Sequence, residues 1–540
     1  MEIKKTPEAI YKEYTEDQSY KSGLDLYDNV KRNNNFYHGK QWEGLNAPSL
    51  EKPVFNVIKP SVNYLTSMLI TDDIGVKCEY EGVETEQLEQ ILQREVSKVF
   101  EQNNIGYQNR DSITACALDG DTVRYHYWDS EVKTGKPWMG AIKTERIDNT
   151  SIVFGNPNTN DIQSQPWIIL LMQMPTAEVR EMAKKNGVPD WDNIRPDDEL
   201  QGHYNSEHEQ QGNSKNTTVM LKFWKDDNGN VCFMKCTSTV VIEEETVTPM
   251  QLYPISYFSW ERVKHCCHGT SPVTAVIPNQ IYINKIMALA MVYNKRMAFP
   301  KVIYDKSKLL QGWTNDVTKA IAVTGNPRDA VFDVFSAAPV NGQALELVES
   351  TMNKTKDSLG VYDAALGNAK PDNTSAIVAL QRASSQPLEL QRMDFYKFIE
   401  DSVRIIVDMM GAYYGPRVTE IIPEELGQPA QITFDFNQLQ GANLNLTVEI
   451  GQATYWSELV QVQTLDNMLS QQIIDTEMYL EFLPDGYIPN RDKIVKGIKE
   501  RKAMMAQQKM LPTQMSGTSA PVQAQPMQEL AQAVGAPVMS

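Results

Sequence analysis

The sequence predicts an α+β chain, mostly helical, and three observations carry that prediction. Apolar residues recur three and four apart near residues 86–118, 279–299 and 343–366, which is the period of one helix face. Between Thr122 and about Ser259 the pattern changes to period two, the signature of strands. The chain has 540 residues, 41% of them hydrophobic, enough for roughly three or four domains of about 150 residues each.

Residues 1–35 are polar, and Tyr11, Tyr14, Tyr20, Leu24, Tyr27 and Val30 mark an amphipathic helix that Asn33-Asn34-Asn35 ends. Pro53-Val54-Phe55-Asn56-Val57-Ile58 reads as a short strand or extended arm, and Lys59-Pro60 leads into a helix from about Ser61 to Leu69. Residues 86–118 read as a helix pair, with Leu88, Ile91, Leu92, Val96, Val99 and Phe100 on one face and a break at Gly106. Gly120 stops the second helix, as glycine does just past a C-terminus.

Strands are predicted at 123–128 and 142–147, and a short helix at 176–186. A polar loop follows over 190–216, then a meander at 219–224, 231–236 and 240–244. Helix returns at Pro272, and no charge occurs between Lys285 and Lys295. An apolar face that wide predicts packing against several neighbours. Residues 301–342 mix short strands with turns such as Gly325-Asn326-Pro327. Over 343–366, Leu345, Val348, Met352, Thr355, Leu359, Tyr362 and Leu366 form a heptad-like seam, which an ordinary core helix would also show. A helix over 375–414 is expected to bend at Pro387, because proline removes a hydrogen bond and clashes with the preceding turn. Strands at 432–436 and 444–450 and helices over 455–506, interrupted at Leu483-Pro484-Asp485-Gly486, complete the ordered chain. The tail from Met510 is rich in Gln, Pro, Ala, Met and Ser and has little to bury.

Composition excludes several functions. Lys plus Arg total 51 against 69 Asp plus Glu, a difference of −18, whereas tight nucleic-acid binders carry a basic stripe. An acidic wall repels phosphates and lets a duplex slide. No apolar segment follows the N-terminus and no apolar run approaches the ~20 residues of a membrane span. A cytoplasmic origin with no membrane partner is the expectation. The six cysteines do not form a disulfide framework. His265-Cys266-Cys267-His268 lacks the separated ligand pairs of a zinc site, so no metal is assigned. No phosphate-binding loop, nucleophile elbow or His-Glu-x-x-His motif occurs, and no catalytic residue or cofactor is predicted.

Several motifs, in order, resemble those of the tailed-bacteriophage portal proteins. Phe36-Tyr37-His38-Gly39-Lys40-Gln41-Trp42, followed by Pro53-Val54-Phe55-Asn56, is similar to that family's N-terminal signature. Gly269-Thr270-Ser271-Pro272-Val273 and Asn279-Gln280-Ile281-Tyr282-Ile283-Asn284 resemble the start of its first stem helix. Asn373-Thr374-Ser375-Ala376-Ile377-Val378-Ala379-Leu380-Gln381 resembles the opening of its long kinked helix. The resemblance implies a non-enzymatic subunit with wing, stem, clip and crown regions, in a ring, usually of twelve in that family, around a DNA channel. Residues 1–270 would be the wing, 271–300 and 343–366 the stem helices, and 301–342 the clip. A tunnel loop at 367–374 would carry Asn368, Lys370, Asp372 and Asn373 toward DNA. The kinked helix and returning wing strands would occupy 375–454, the crown 455–506, and a disordered or barrel-forming tail 507–540. Lys295, Arg296 and Lys301 would lie at the clip end. The implied partners are the terminase large subunit, head-completion, adaptor and tail proteins, the major capsid or scaffolding protein, and double-stranded DNA passing without sequence preference. The implied location is the portal vertex of the virion, after synthesis in the bacterial host. Another adaptor or capsid protein, or an enzyme with a site assembled from scattered residues, remains open at this point.

Overall fold

The computed structural model describes residues 3–47, 50–69, 74–80, 85–135, 138–197, 215–298, 301–309, 322–329, 331–335, 342–361, 386–421, 430–440, 444–450, 455–471, 473–483, 494 and 497–498. The chain forms two compact units, Met1–Ala453 and Thr454–Ser540. Helix and sheet are mixed in the first, as the two periodicities predict.

The N-terminal helix divides into α1 (Pro7–Gly23) and α2 (Leu26–Tyr37), because Asp25 adopts a left-handed φ of 53°. The three asparagines do not end it. Asn33 is buried inside α2 and its Nδ2 donates to Leu118 O at 2.7 Å and Thr274 Oγ1 at 2.9 Å. α3 (Ile58–Leu69) follows. The predicted pair is α4 (Thr85–Gln102) and α5 (Ile105–Asp119), with the corner at Asn104 (φ 51°) rather than at Gly106. Ile91, Leu92, Val96 and Val99 are buried, as their spacing requires.

Strands β2 (Asp121–Lys133), β3 (Met139–Ile147) and β9 (Ile255–Ser259) form an antiparallel sheet in the order β3-β2-β9. The open edge of β3 is met by Asn103, whose Oδ1 accepts from Thr144 N at 3.1 Å while its Nδ2 donates to Ile142 O at 2.9 Å. One side chain thus substitutes for a missing strand and satisfies the exposed edge. Strands β4 (Ile152–Phe154), β5 (Trp167–Pro175), β6 (Asn216–Lys225), β7 (Val231–Cys236) and β8 (Val241–Val247) form a five-stranded antiparallel sheet in chain order, with α6 (Thr176–Lys185) after β5. Cys232 and Cys236 pack in its core as strand residues. The 198–214 part of the predicted polar loop lies outside the described residues.

α1 lies on this sheet through Ile10 and Tyr14. Lys222, fully buried, pairs with Glu13 at 2.6 Å, and buried Lys21 donates to the carbonyls of Thr150 and Ile152 at the short edge strand.

The helical middle comprises α7 (Pro272–Ala298) and α8 (Gly342–Ser358). They flank the hairpin β10 (Lys301–Tyr304) and β11 (Val331–Phe335). Helix α9 (Glu389–Tyr413) is the central core helix: Phe395, Phe398, Ile399, Val403 and Ile406 are fully buried. Three strands close the unit. β12 (Pro416–Ile421) and β13 (Ala430–Asp435) pair with each other, and β14 (Leu444–Ile450) pairs with β1 (Ile74–Tyr80). In the second unit, helices Tyr455–Ser470 and Thr476–Phe482 are joined by Tyr479 Oη donating to Asp466 Oδ1 at 2.7 Å. The helical stretch breaks after Ser470, earlier than Leu483. The 507–540 tail lies outside the described residues.

Candidate functional site

The sequence motifs at 36–42, 53–56 and 279–284 converge on one cluster. Two polar side chains of α7, Gln280 and Asn284, sit four residues apart and therefore on one face. Both are buried. Val57 N donates to Gln280 Oε1 at 2.9 Å, and Gln280 Nε2 donates to Phe55 O at 2.8 Å. Phe55 N donates to Asn284 Oδ1 at 3.2 Å, while Asn284 Nδ2 donates to Gln41 Oε1 at 2.6 Å. Gln41 in turn donates to Phe36 O at 2.9 Å. The arm is thereby held along α7 as a strand would be held by a neighbour, with its backbone groups satisfied by amide side chains. Asn56 Nδ2 donates to Phe36 O and Tyr37 O at 3.1 Å each, and its Oδ1 accepts from Lys59 N at 3.1 Å, capping the start of α3. Trp42 Nε1 donates to Pro53 O at 2.8 Å. The arm is an extended segment and pairs as no strand.

A second cluster fixes the root of α7. Gly120 (φ +98°) and Gly269 cross so closely that a Cβ on Gly120 would lie 2.7 Å from Gly269 O, and one on Gly269 would lie 2.7 Å from Gly120 O. Only glycine permits this approach. Ser271 Oγ accepts from Val273 N at 3.1 Å, capping α7, and donates to Ala117 O at 2.6 Å. Asp121, buried beside the crossing, accepts from Asn149 Nδ2 at 2.6 Å and Tyr257 Oη at 2.9 Å, and lies 2.8 Å from His268 Nδ1.

The His265–His268 run does not converge. His265 is exposed with φ 58°, Cys266 lies against Tyr20 Oη at 3.4 Å, Cys267 is buried, and His268 is held by Asp121. Among the described residues no three His, Cys, Asp or Glu side chains gather as a metal would need. Neighbouring buried groups are structural in placement. Burial holds His126 neutral, its imidazole pushed down to about 3, between Thr144 Oγ1 and Ser256 Oγ. Burial likewise lowers Arg124 to about 9; its Nη2 donates to Asn109 Oδ1 at 2.7 Å and its guanidinium lies 4.5 Å from the Phe398 ring centre.

α7 and α8 pack through Ile283, Val348, Met287 and Met352, with Val57 of the arm beneath them. Both leave large apolar side chains outside that contact. Leu289 is 59% exposed, Leu345 44% and Leu347 51%. Leu345, placed on the seam by the heptad spacing, is therefore on its flank. Val348 and Thr355 are buried as that spacing expects, and Leu359 lies just past the end of the helix. By length and composition α7 could cross a membrane, contrary to the reading from apolar runs, but its inner face is committed to the arm and to Val273, Val276 and Ile277 packing with α3 and α5.

Of the sequence-predicted site residues, Lys295 is exposed and pairs with Glu51 of the arm at 3.1 Å. Arg296 is exposed at the end of α7, and Lys301 begins β10. Pro387 lies in a 3-10 turn, Gln386–Leu388, immediately before α9, not inside an α-helix. Asn368, Lys370, Asp372 and Asn373, with Tyr362, Leu366 and the 373–381 motif, lie outside the described residues. The Gln280–Asn284 clamp and its partners Gln41 and Phe55 all lie in the quoted motifs, but their pairing was not legible, because the two sides are more than 220 residues apart in the chain.

A search of curated proteins finds no match. A family model described as "Phage P22-like portal protein" matches residues 198–538. That span begins before β6 and includes α7, the hairpin, α8, α9 and the second unit up to residue 538. The family is one of structural, non-enzymatic proteins that form rings at the virion capsid vertex. The match covers more than half of the sequence, and the chain belongs to the phage P22-like portal protein family.

Proposed function

We propose that the chain is the repeating subunit of a channel at one capsid vertex, through which DNA is packaged and later ejected and to which the tail is joined. The family match carries this reading. α7 and α8 are the stem helices, β10–β11 the clip, and the sheets before α7 the wing; the strands after α9 return to the wing and the helices after Tyr455 are the crown. The apolar flanks at Leu289, Leu345 and Leu347 support the stem assignment. A cyclic ring needs two different side faces on each subunit, each complementary to the other, and α7 and α8 each leave large apolar side chains outside their mutual contact for such faces. The formal charge of −18 suits a wall that passes a duplex without retaining it.

In this reading, the loop at 367–374 faces the channel, with Lys370 its one cation. Arg296 and Lys301 lie at the clip end, the side that meets the terminase and head-completion proteins, and Lys295 there is paired with Glu51. Twelve subunits is the expected count.

Leu289→Asp and Leu345→Asp test the interface. Each side chain is about half exposed in the single subunit, so the substitution is expected to leave the fold intact while placing an unpaired charge in the contact. Light scattering after size exclusion is expected to show folded monomer in place of ring. Rings that persist in both variants would remove these flanks from the interface.

A further inference from the structure

The α7–α8 pair is charged differently on its two sides. α7 contains no acidic residue, whereas α8 carries Glu346, Glu349 and Asp357. α8 runs back along α7. Its Val348 and Met352 pack with Ile283 and Met287, and Leu359, just past its end, joins the cluster of Val273, Val276 and Ile277 at the start of α7. Each helix therefore turns one side to the other and keeps its remaining sides for something else.

On α7 the arm takes one flank, through Gln280, Asn284 and the Lys295–Glu51 pair. The stripe left open holds Lys285, Leu289 and Arg296, which recur at helical spacing and are all exposed. On α8, at about 100° of turn per residue, Glu349 falls on the flank and Glu346 on the back relative to Val348. Both are exposed, with the exposed Leu345 beside them. Lys356 shares that flank but is half-buried and about two turns away, and Lys354 lies on the opposite one. One end of the helix pair is thus apolar and positive, and the other apolar and negative. Lys285 lies between Ile283 and Met287, the residues that pack with Val348 and Met352, so it stands level with Glu349.

We propose that the ring contact has a fixed polarity: the α7 stripe of one subunit docks on the outer side of α8 of the next, with Lys285 against the partner subunit's Glu349 and Leu289 beside the partner subunit's Leu345. This rests on the reading of α7 and α8 as stem helices running along the channel. Rotational symmetry keeps each residue at one height in every subunit, so residues level within a subunit are level across the contact. The charges also discriminate between assemblies. A two-fold dimer would set the α7 stripe against itself, cation on cation, whereas the head-to-tail contact of a ring sets unlike charges together.

Charge exchange in the full-length chain tests this. Lys285→Glu sets two acids against each other at every contact, and Glu349→Lys sets two cations. Each variant alone is expected to raise the protein concentration at which half the chain is in rings by about tenfold or more, read by size exclusion with light scattering, with an unchanged circular dichroism spectrum. Lys285→Glu combined with Glu349→Lys in one chain restores the pair and the ring. An equal mixture of the two single variants does the same, because opposite charges meet wherever unlike subunits adjoin. Rings that form as readily in both single variants as in wild type would overturn the proposal. So would single variants that lose the ring and regain it neither in the mixture nor in the double variant. A wild-type chain that forms no ring would instead overturn the ring reading itself. Should Lys285→Glu fail to fold, Lys285→Gln takes its place: combined with Glu349→Lys it relieves the clash of cations, and rings no more stable than those of Glu349→Lys alone would overturn the proposal.

Discussion

Gly120→Ala is the sharpest single perturbation of the joint beneath α7, and Gly39→Ala is its control. Both glycines have positive φ, +98° and +85°. A side chain in that region costs about 1–2 kcal/mol. At Gly39 nothing lies within 4 Å of an added Cβ, so that cost is the whole effect. At Gly120 the Cβ meets the Gly269 carbonyl oxygen at 2.7 Å, where ordinary contact starts at 3.4 Å. The crossing backbone must move by about 0.7 Å, and a forced shift in a packed interior costs about 1–3 kcal/mol more. Gly120→Ala is therefore expected to lose about 2–5 kcal/mol and Gly39→Ala about 1–2. Urea unfolding followed by circular dichroism, at matched protomer concentration, measures the difference. Gly269→Ala, whose φ is not positive, carries no φ cost, but its Cβ would meet Ser259 Oγ at 2.1 Å as well as Gly120 O at 2.7 Å, so it reports the sum of those two contacts. Equal losses at Gly120 and Gly39 would refute the close crossing as the reason for glycine there.

Two further expectations rest on buried polar groups. Asn284→Leu keeps the bulk of the side chain but strands Phe55 N and Gln41 Oε1; each unsatisfied buried group costs about 1–3 kcal/mol, and limited proteolysis should cut the released 50–57 arm faster than in wild type. His126 contributes to acid sensitivity. Because burial lowers its pKa from 6.5 to about 3, the unfolded chain takes up the proton first. Its contribution is complete above about pH 6.5 and is lost as pH falls toward 3. His126→Gln should flatten the fall in urea midpoint between pH 7 and pH 4, and an unchanged slope would contradict the neutral buried imidazole.

Local periodicity carried much of the fold. The α4–α5 pair, its stop at Gly120, the β6-β7-β8 meander and the buried stripe of α8 are legible because each depends on neighbours within a few turns of chain. The breaks were less so. Asp25 and Asn104 turn left-handed where no glycine marks the place, and Asn33 stays helical because Leu118 and Thr274 give its amide partners that a sequence does not display. β1 pairs with β14 across about 370 residues, a match that no window of local pattern contains. The motifs at 36–42, 53–56 and 279–284 were visible separately. What joins them is the spacing of Gln280 and Asn284 on one face of α7, a buried polar pair that needs partners. That signal points to a clamp but not to the segment it holds.

Electron microscopy with class averaging of the purified full-length protein tests the central claim most directly. A ring-forming portal subunit gives closed rings with a central hole wider than a duplex, about 20 Å, and a countable number of subunits. A monomer or compact dimer that persists at high protein concentration would contradict it.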